Sequence, residues 1–327
     1  MTVYDVVTLG ETMLRLTPPN FRRLQQTQSL DIEVGGSESN AAVGLAKLGL
    51  RVGWLSRLTN NPLGHYITGT LAAQGVDVSQ VMWTDEDRIG LYFLEEGQPP
   101  RDSRVFYDRA RSAMSAIQPE DLPADLFRPG NARLLHLTGI TPALSDCAAQ
   151  TATAALRQAL DAGWLVSFDV NYRAKLWSPA AAAAGCEPFL QAAHIILTPI
   201  TDVYRLFGFA ENTPIETIFE QLHQRYPQAV IVITLGSRGA ATSGTDSQIY
   251  TQGVFPAEPI GRVGGGDAFD AGFLYGYLQF GDLPTALRWG AATAAIKYTI
   301  PGDMPLIEYH EVKKLVENTS AQTRLER

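Results

Sequence analysis

The chain has few cysteines, no long apolar run and no cluster of basic residues, and each absence excludes a class of protein. Cys147 and Cys186 are the only cysteines among 327 residues and neither belongs to a CxxC motif, which argues against a disulfide framework and a zinc site. No apolar run reaches the ~18 residues that a membrane-spanning helix requires. Lys and Arg number 26 against 34 Asp and Glu, for a net charge of −8, so the basic face of a nucleic-acid-binding protein is missing.

Two common nucleotide-binding motifs are absent as well. Residues 8–12 (TLGET) follow the first apolar segment, where a dinucleotide-binding fold would carry GxGxxG, and the P-loop pattern GxxxxGK[ST] does not occur. A nicotinamide enzyme and a Walker-type NTPase are therefore disfavoured. The first five residues, MTVYD, have no basic head and no cleavable signal pattern, so we expect a cytoplasmic protein.

Short apolar segments alternate with longer helical patterns along most of the chain. The short segments are apolar on both faces, as strands buried inside a parallel sheet must be. This alternation predicts an α/β fold with a mostly parallel central sheet and helices on both faces. The predicted strands are residues 4–8, 52–56, 134–137, 165–169, 195–198 and 230–234. The predicted helices are residues 39–47, 63–73, 147–162, 179–192, 215–225, 268–279, 284–297 and 309–317.

Two stretches interrupt this alternation, residues 15–34 and 81–109. Both look like β-structure without intervening helices, and residues 97–100 (GQPP) mark a turn inside the second. We expect these stretches to form a small antiparallel β lid on an α/β core. The core would comprise residues 1–14, 35–80 and 110–327. A lid of this kind excludes water from a reactive phosphate.

The most informative local motif is Gly264-Gly265-Gly266-Asp267, directly before a predicted helix. Glycines allow a ligand to approach the backbone closely, and the N–H groups at a helix start bind anions. A carboxylate beside a phosphate suits a base that accepts the proton of an attacking hydroxyl. A glycine-rich turn with Asp267 as a helix N-cap explains these residues equally well when they are taken alone.

A second glycine motif lies far upstream. Gly35 and Gly36 precede Asn40 and a run of small residues at 41–49 (AAVGLAKLG). Small residues allow a helix to pack closely on a sheet, and Asn40 could hydrogen-bond a polyol. Taken alone, this pattern more often marks a packing helix than a binding site.

Together the two motifs resemble the signatures of the PfkB (ribokinase-like) family of carbohydrate kinases. Residues 35–49 match GGxxxNxAxxLAxLG, and the segment around Asp267 matches DTxGAGDxF. Further segments resemble the branch of this family that phosphorylates 2-keto-3-deoxygluconate (KDG). These are residues 10–16 (GETMLRL), 90–93 (GLYF), 107–109 (YDR), 137–142 (LTGITP), 169–173 (DVNYR), 176–177 (LW) and 300–303 (IPGD). The resemblance covers essentially the whole chain and implies a ribokinase-like fold with a lid.

The resemblance also implies an activity: ATP and Mg²⁺ would serve to phosphorylate a terminal hydroxyl of a sugar acid, with Asp267 as the base beside Gly264, Gly265 and Gly266. Arginines at the sugar suit a carboxylate, because their forked donors bind its oxygens in pairs. The implied substrate-binding residues are Gly35, Gly36, Asn40, Tyr92, Tyr107, Arg109, Ile140, Arg173 and Asp303, with Arg15 as a further candidate. The implied nucleotide-binding residues are Thr234, Gly236, Ser237, Gly239, Gly264 and Gly266. Asp202 would act on the metal through water.

Three positions depart from the family pattern. Gly261 stands where the second signature begins with Asp, and Pro199 replaces the Asn of an NxxE element whose acid survives as Asp202. Asp270 lies three residues after Asp267, where relatives often carry a small residue. Positions i and i+3 are neighbours on a helix, so Asp270 either raises the pKa of Asp267 or is simply solvated.

Two alternative functions stay open at this point. A kinase for a neutral sugar or a nucleoside would not need several arginines at the substrate. Gly261 and Pro199 favour a catalytically weak sugar-binding protein of the same fold. The exposed edges and apolar face of a lid sheet also indicate a homodimer or a higher homo-oligomer.

Overall fold

The computed structural model describes residues 3–261 and 263–317. The strands are β1 (Tyr4–Leu9), β2 (Met13–Thr17), β3 (Asp31–Gly35), β4 (Val52–Thr59), β5 (Val76–Asp77), β6 (Val81–Thr84), β7 (Leu91–Glu95), β8 (Arg104–Asp108), β9 (Ala132–Thr138), β10 (Leu165–Asp169), β11 (Ile195–Pro199), β12 (Val230–Thr234), β13 (Ala240–Ser243) and β14 (Ile249–Gln252). The helices are α1 (Ser37–Lys47), α2 (Pro62–Ala73), α3 (Ile140–Ala143), α4 (Asp146–Asp161), α5 (Pro179–Ala192), α6 (Ile200–Phe207), α7 (Ile215–Arg225), α8 (Gly265–Phe280), α9 (Leu283–Tyr298) and α10 (Tyr309–Glu317). None of the helices in these ranges is long and apolar enough to cross a bilayer.

A ten-stranded sheet forms the centre of the protein, in the order β14-β13-β12-β11-β10-β9-β1-β4-β5, with β6 paired to β4. Its strands from β12 to β5 are parallel. Successive residues of a strand point to opposite faces: Val6 packs in one apolar layer, whereas Val7 packs in the other. The predicted α/β class, with helices on both faces, is confirmed.

Local sequence signals explain where several helices begin. The side chains of Asn61, Ser145 and Asp282 accept hydrogen bonds from backbone N–H groups in the first turns of α2, α4 and α9. These caps satisfy donors that a helix start leaves unpaired. The observed helices accordingly begin within two or three residues of their predicted starts.

Some elements were missed by the sequence analysis. Helix α6 begins directly after Pro199 and ends at Gly208, whose φ of 79° is left-handed. It spans only eight residues, too few for a strong periodic signal. The antiparallel strands β13 and β14 extend the sheet beyond β12, and their mixed composition gave no clear strand pattern.

A second, four-stranded sheet has the order β3-β2-β7-β8. The β2–β3 and β7–β8 pairs are antiparallel, whereas the central β2–β7 pair is parallel. Residues 81–84, expected in the lid, instead form β6 at the edge of the large sheet. The reason is the length of β4, which runs three residues beyond its predicted end and offers β6 a pairing partner.

Helices α1 and α8 pack side by side across one face of the large sheet. Gly44 of α1 permits this, because a Cβ there would lie 2.7 Å from the Cβ of Ala271 in α8. The helix starts therefore lie together near the carboxyl ends of the parallel strands, where open α/β sheets bind their ligands.

The contact between α8 and α9 generates a stability prediction. A Cβ at Gly272 would collide with the Thr293 hydroxyl and the Trp289 carbonyl oxygen of α9. We expect Gly272→Ala to lower the free energy of unfolding by about 1–3 kcal/mol through overpacking. Gly69→Ala in α2 is the matched control, since a Cβ there meets nothing within 4 Å and should stabilise the helix by about 0.5–1 kcal/mol. Urea unfolding measures both, and equal stabilities would contradict the packing.

Candidate functional site

A cleft of about 350 Å³ lies between the carboxyl ends of the large sheet and the four-stranded sheet. The sequence-predicted residues that line it are Gly35, Gly36, Asn40, Tyr92, Tyr107, Arg109, Ile140, Arg173, Thr234, Gly264, Gly266, Asp267 and Asp303. Asp202, Gly236, Ser237, Gly239 and Gly265 are outside this lining. The fold thus brings most of the predicted residues into a single cleft.

Asp267 lies in the first turn of α8 and is held by α1. Its Oδ1 accepts a hydrogen bond from the Ser37 hydroxyl at 2.7 Å, and its Oδ2 accepts one from the Asn40 amide at 2.7 Å. Burial raises the pKa of Asp267, while these hydrogen bonds and the charge of Arg173 lower it. A carboxylate with a raised pKa is a stronger base than an exposed one. The carboxylate thus lines the cleft and is not a helix N-cap, since the N-cap is Gly264.

The three glycines before Asp267 differ in what surrounds them. Gly264 has a left-handed φ of 77°, and a Cβ there would collide with the backbone carbonyl of Asp303. A Cβ at Gly265 would collide with the ring of Tyr298. Gly266 opens onto the cleft with nothing within 4 Å of its Cβ position. Its backbone is therefore free to approach an anion at the start of α8.

Asp303, whose backbone carbonyl lies against Gly264, is fixed by residues of the four-stranded sheet. The guanidinium of Arg15 and the hydroxyl of Tyr92 both donate to its carboxylate. Arg15 is buried and also pairs with Glu33. A Cβ at Gly35 would collide with the Asp303 carboxylate and the Tyr92 hydroxyl, so only glycine leaves room for this contact. Tyr92 thus lines the cleft and also holds Asp303.

The arginines of the cleft differ in their partners. Arg109 donates through Nε, at 2.8 Å, and through Nη2 to the buried carboxylate of Glu11. Ser112 donates to the other oxygen of Glu11. The Arg173 guanidinium has no ion pair within the described ranges of the chain, although it lines the cleft. Arg173 is therefore the cation most available to an anionic ligand, and Arg109 is held in a fixed orientation.

A group of buried acids lies behind Asp267, and the sequence analysis named two of its members, Asp202 and Asp270, without predicting that they lie together. Burial raises the pKa of Asp169 to about 7, and the neighbouring charge of Asp267 adds to this. Asp270 is buried rather than solvated, and burial together with the charge of Asp169 raises its pKa well above the ordinary value. Burial also raises the pKa of Asp202, whose Oδ2 accepts from the Tyr172 amide at 3.0 Å. Each acid binds a proton more readily than it would in water.

Three further residues that support the site were missed by the sequence analysis. Asn171 has a φ of 42° and donates to Ser37 Oγ at 2.7 Å and to Asp169 Oδ2 at 2.6 Å. Glu38 is fully buried and accepts from Thr138 and Thr141, and burial raises its pKa to about 7. Ser37 and Glu38 occupy variable positions of the GGxxxN pattern, so the pattern itself could not identify them.

The expected nucleotide-binding loop lies at the edge of this region. Gly236 and Gly239 have left-handed φ angles of 64° and 95° and shape the turn between β12 and β13. A Cβ at Gly239 would collide with the Gln252 carbonyl. Val254, Ile260 and Val263, in the segment before α8, are exposed by 56%, 69% and 38%.

A metal ion would find few ligands in the protein itself. The described ranges contain no group of three or more His, Cys, Asp or Glu side chains that could hold one. Asp202 is buried and partly engaged by Tyr172. Mg²⁺ usually keeps several waters and binds through one or two carboxylates plus substrate phosphates, so Asp202 and Asp169 fit only such a shared site.

Comparisons with known proteins agree with this geometry. The family model described as pfkB family carbohydrate kinase matches residues 4–308. The chain is 36% identical over 319 residues to a 2-dehydro-3-deoxygalactonokinase of Haloferax volcanii, covering 97% of this chain and 98% of that protein. It is 33% identical over 323 residues to a 2-dehydro-3-deoxygluconokinase of Bacillus subtilis, covering 97% and 96%. Its fold matches the crystal structure of a 2-dehydro-3-deoxygluconokinase from Thermotoga maritima with a TM-score of 0.89 at 34% identity, covering 96% and 99%.

Proposed function

Because the chain belongs to the pfkB family of carbohydrate kinases, we propose that it transfers the γ-phosphoryl group of ATP to a terminal hydroxyl of a keto-deoxy sugar acid. KDG, which is 2-dehydro-3-deoxygluconate, is the preferred candidate, and its 6-phosphate is the product. The observation that carries this proposal is the buried Asp267 carboxylate, held by Ser37 and Asn40 at the start of α8 and lining the same cleft as Arg173.

In the proposed reaction, the hydroxyl oxygen of the sugar attacks the γ-phosphorus, and Asp267 accepts the proton of that hydroxyl. The O–H bond breaks, a new O–P bond forms, and the bond from phosphorus to the bridging oxygen breaks, which releases ADP. The N–H groups at the start of α8 stabilise the charge on the transferring group. Gly266 allows this approach because no side chain stands between the backbone and the cleft.

The sugar-acid assignment rests on the cations of the cleft. Arg173 lines it without an ion pair in the described residues, and Arg109 is oriented by Glu11. A carboxylate is the ligand group that an arginine fork recognises in pairs. The names of the relatives support the same substrate class, and they include both the gluco and the galacto epimers. Asp303, fixed by Arg15 and Tyr92, would accept hydrogen bonds from sugar hydroxyls.

ATP and Mg²⁺ are part of the proposal. Kinases of this family use ATP, and the exposed apolar residues before α8 offer a surface for adenine. Mg²⁺ would neutralise charge on the phosphates. Asp202 and Asp169 are the side chains that would hold its waters, and the phosphates would supply the remaining ligands, so Gly261 and Pro199 need not abolish activity.

The first prediction from the proposed function tests the activity and the base together. We expect the wild-type protein to phosphorylate KDG or its galacto epimer in preference to fructose, ribose and adenosine. Asp267→Asn should lower kcat by about 10²–10⁴-fold while ATP binding persists, because the amide cannot accept the proton. A coupled ADP assay and calorimetry with ATP measure these quantities.

The control for this experiment is Asp125→Asn, since the side chain of Asp125 is 87% exposed. Wild-type turnover in the Asp267→Asn variant would rule out Asp267 as the base. Preference for fructose or adenosine would instead indicate a kinase for neutral sugars or nucleosides. A melting temperature raised by KDG without ATP-dependent product would indicate a sugar-binding protein that has lost phosphoryl transfer.

The second prediction concerns the pH dependence of the reaction. The Ser37 hydroxyl donates to the ionised Asp267 and so lowers its pKa against the effect of burial. Ser37→Ala removes this contribution, the pKa of Asp267 rises further, and less carboxylate remains at acid pH. The acid limb of kcat/KM should therefore move to higher pH. Ser39→Ala is the matched control, because Ser39 bonds the Gly36 carbonyl and Thr12 but not Asp267. An unmoved limb in Ser37→Ala would be incompatible with Asp267 as the base.

We also propose that the protein is a homodimer that associates through the four-stranded sheet. Tyr92 and Tyr107 face the cleft, so their neighbours Phe93 and Phe106 face away from it. Phe93 and Phe106 are directly paired, and the same cross-strand row continues through Leu16 to Ile32. Ile32 and Phe106 are exposed by 51% and 46%, which is an unusual amount of apolar surface on one row.

A third prediction follows from this apolar row. The double substitution Ile32→Asp and Phe106→Asp should convert the dimer to a monomer, because it places two charges on each buried face. Sedimentation velocity measures the change in mass. Trp83→Asp, at a residue that is 42% exposed on β6 of the large sheet, should leave the dimer intact. A wild-type protein that sediments as a monomer would contradict the proposal.

A further inference from the structure

Lys297, near the end of α9, is fully buried and is not used in the proposed reaction. Its ammonium donates to the backbone carbonyls of Ile300 at 3.0 Å and Gly302 at 2.9 Å. No carboxylate of the described residues lies within ion-pair distance of it. The side chain thus extends past the end of α9 and binds the turn that follows.

A buried ammonium without a paired carboxylate is costly, because it gives up water for two neutral acceptors. Burial lowers the pKa of Lys297, as does the charge of Arg15, whereas the charges of Asp303 and Asp267 raise it. The carbonyls at a helix end favour a cation there. An apolar side chain would avoid this cost, but it would leave both carbonyls without the donor that Lys297 supplies, so the ammonium has a specific role in this turn.

The turn that Lys297 holds contains Asp303 and also contacts the glycine segment before Asp267. Asp303 directly follows Gly302, and its carboxylate accepts from Arg15 and Tyr92 at the proposed sugar site. The backbone carbonyl of Asp303 lies against Gly264, where a Cβ would collide with it. The turn therefore packs against the glycine segment and also positions Asp303.

We propose that Lys297 is a positioning residue. Its ammonium fixes residues 300–303, so that Asp303 keeps its position against Gly264. This inference rests on the proposed sugar-acid kinase activity and concerns the same cleft. Without the ammonium, two partly buried carbonyls lose their donor, and the turn can relax away from Gly264. Sugar binding should then weaken more than ATP binding, because the carboxylate of Asp303 is the group proposed to accept hydrogen bonds from the sugar hydroxyls.

The test compares wild type, Lys297→Ala and Lys297→Met with the exposed control Lys313→Ala, whose side chain is 47% exposed on α10. We expect both Lys297 variants to raise the KM for KDG on the order of tenfold, with a smaller effect on the KM for ATP. Added ammonium or methylammonium chloride, at constant ionic strength, should restore sugar binding in Lys297→Ala. It should not affect wild type, Lys297→Met or the control. Circular dichroism and thermal melting report whether each variant is folded.

Folded variants with a wild-type KM for KDG would overturn the proposal, as would a loss that no small ammonium ion restores in Lys297→Ala. Failure of both variants to fold would also overturn it, because Lys297 would then determine the fold as a whole. The wild-type assay separates this result from failure of the proposed function. If wild type binds KDG but does not phosphorylate it, calorimetric Kd values for KDG test Lys297 in the same way.

Discussion

The packing of α1 against α8 is the contact on which the candidate site depends. It brings Ser37 and Asn40 to Asp267, which lies 230 and 227 residues further along the chain. The close approach requires small residues, and Gly44 faces Ala271 at the crossing. Any change that separates the two helices would leave the buried carboxylate of Asp267 without donors, at a high free-energy cost. The stability of the fold and the state of the base are therefore coupled through one interface.

Charge is distributed in the cleft so that most cations are already paired. Arg15 is neutralised by Asp303 and Glu33, and Arg109 by Glu11. Arg173 has no ion pair within the described residues, and its charge lowers the pKa of Asp267. The buried acids near Asp267 have raised pKa values because of burial and mutual repulsion. A polyphosphate entering this region would meet carboxylates, so a divalent cation between them is electrostatically reasonable.

The two faces of the four-stranded sheet carry different groups. Its inner face carries Arg15 and Tyr92, which hold Asp303 of the core. Its outer face carries the apolar row that we propose as a dimer contact. Movement of this sheet as a lid would thus change the environment of Asp303 directly. Lys297 holds the turn below Asp303 from the core side, so the carboxylate is held from two directions.

Much of the fold could be predicted because its signals are local. Buried parallel strands are continuously apolar, and helix starts carry their own caps, as at Asn61 and Asp282. The glycines before Asp267 likewise indicated a backbone that a ligand can approach. These properties depend on residues a few positions apart, so the sequence alone contains the information that they require.

The tertiary structure alone decided which side chains meet. It placed residues 81–84 beside β4 rather than in the small sheet, buried Asp270 against Asp169, and paired Arg109 with Glu11 across 98 residues. It also turned Lys297 onto the carbonyls behind Asp303. Composition and spacing carry no information about such pairs, since their energies come from burial and from partners that are distant in the chain. The sequence thus determined the elements and the glycine motifs, and the packing of those elements decided the charge state and the partners of the groups between them.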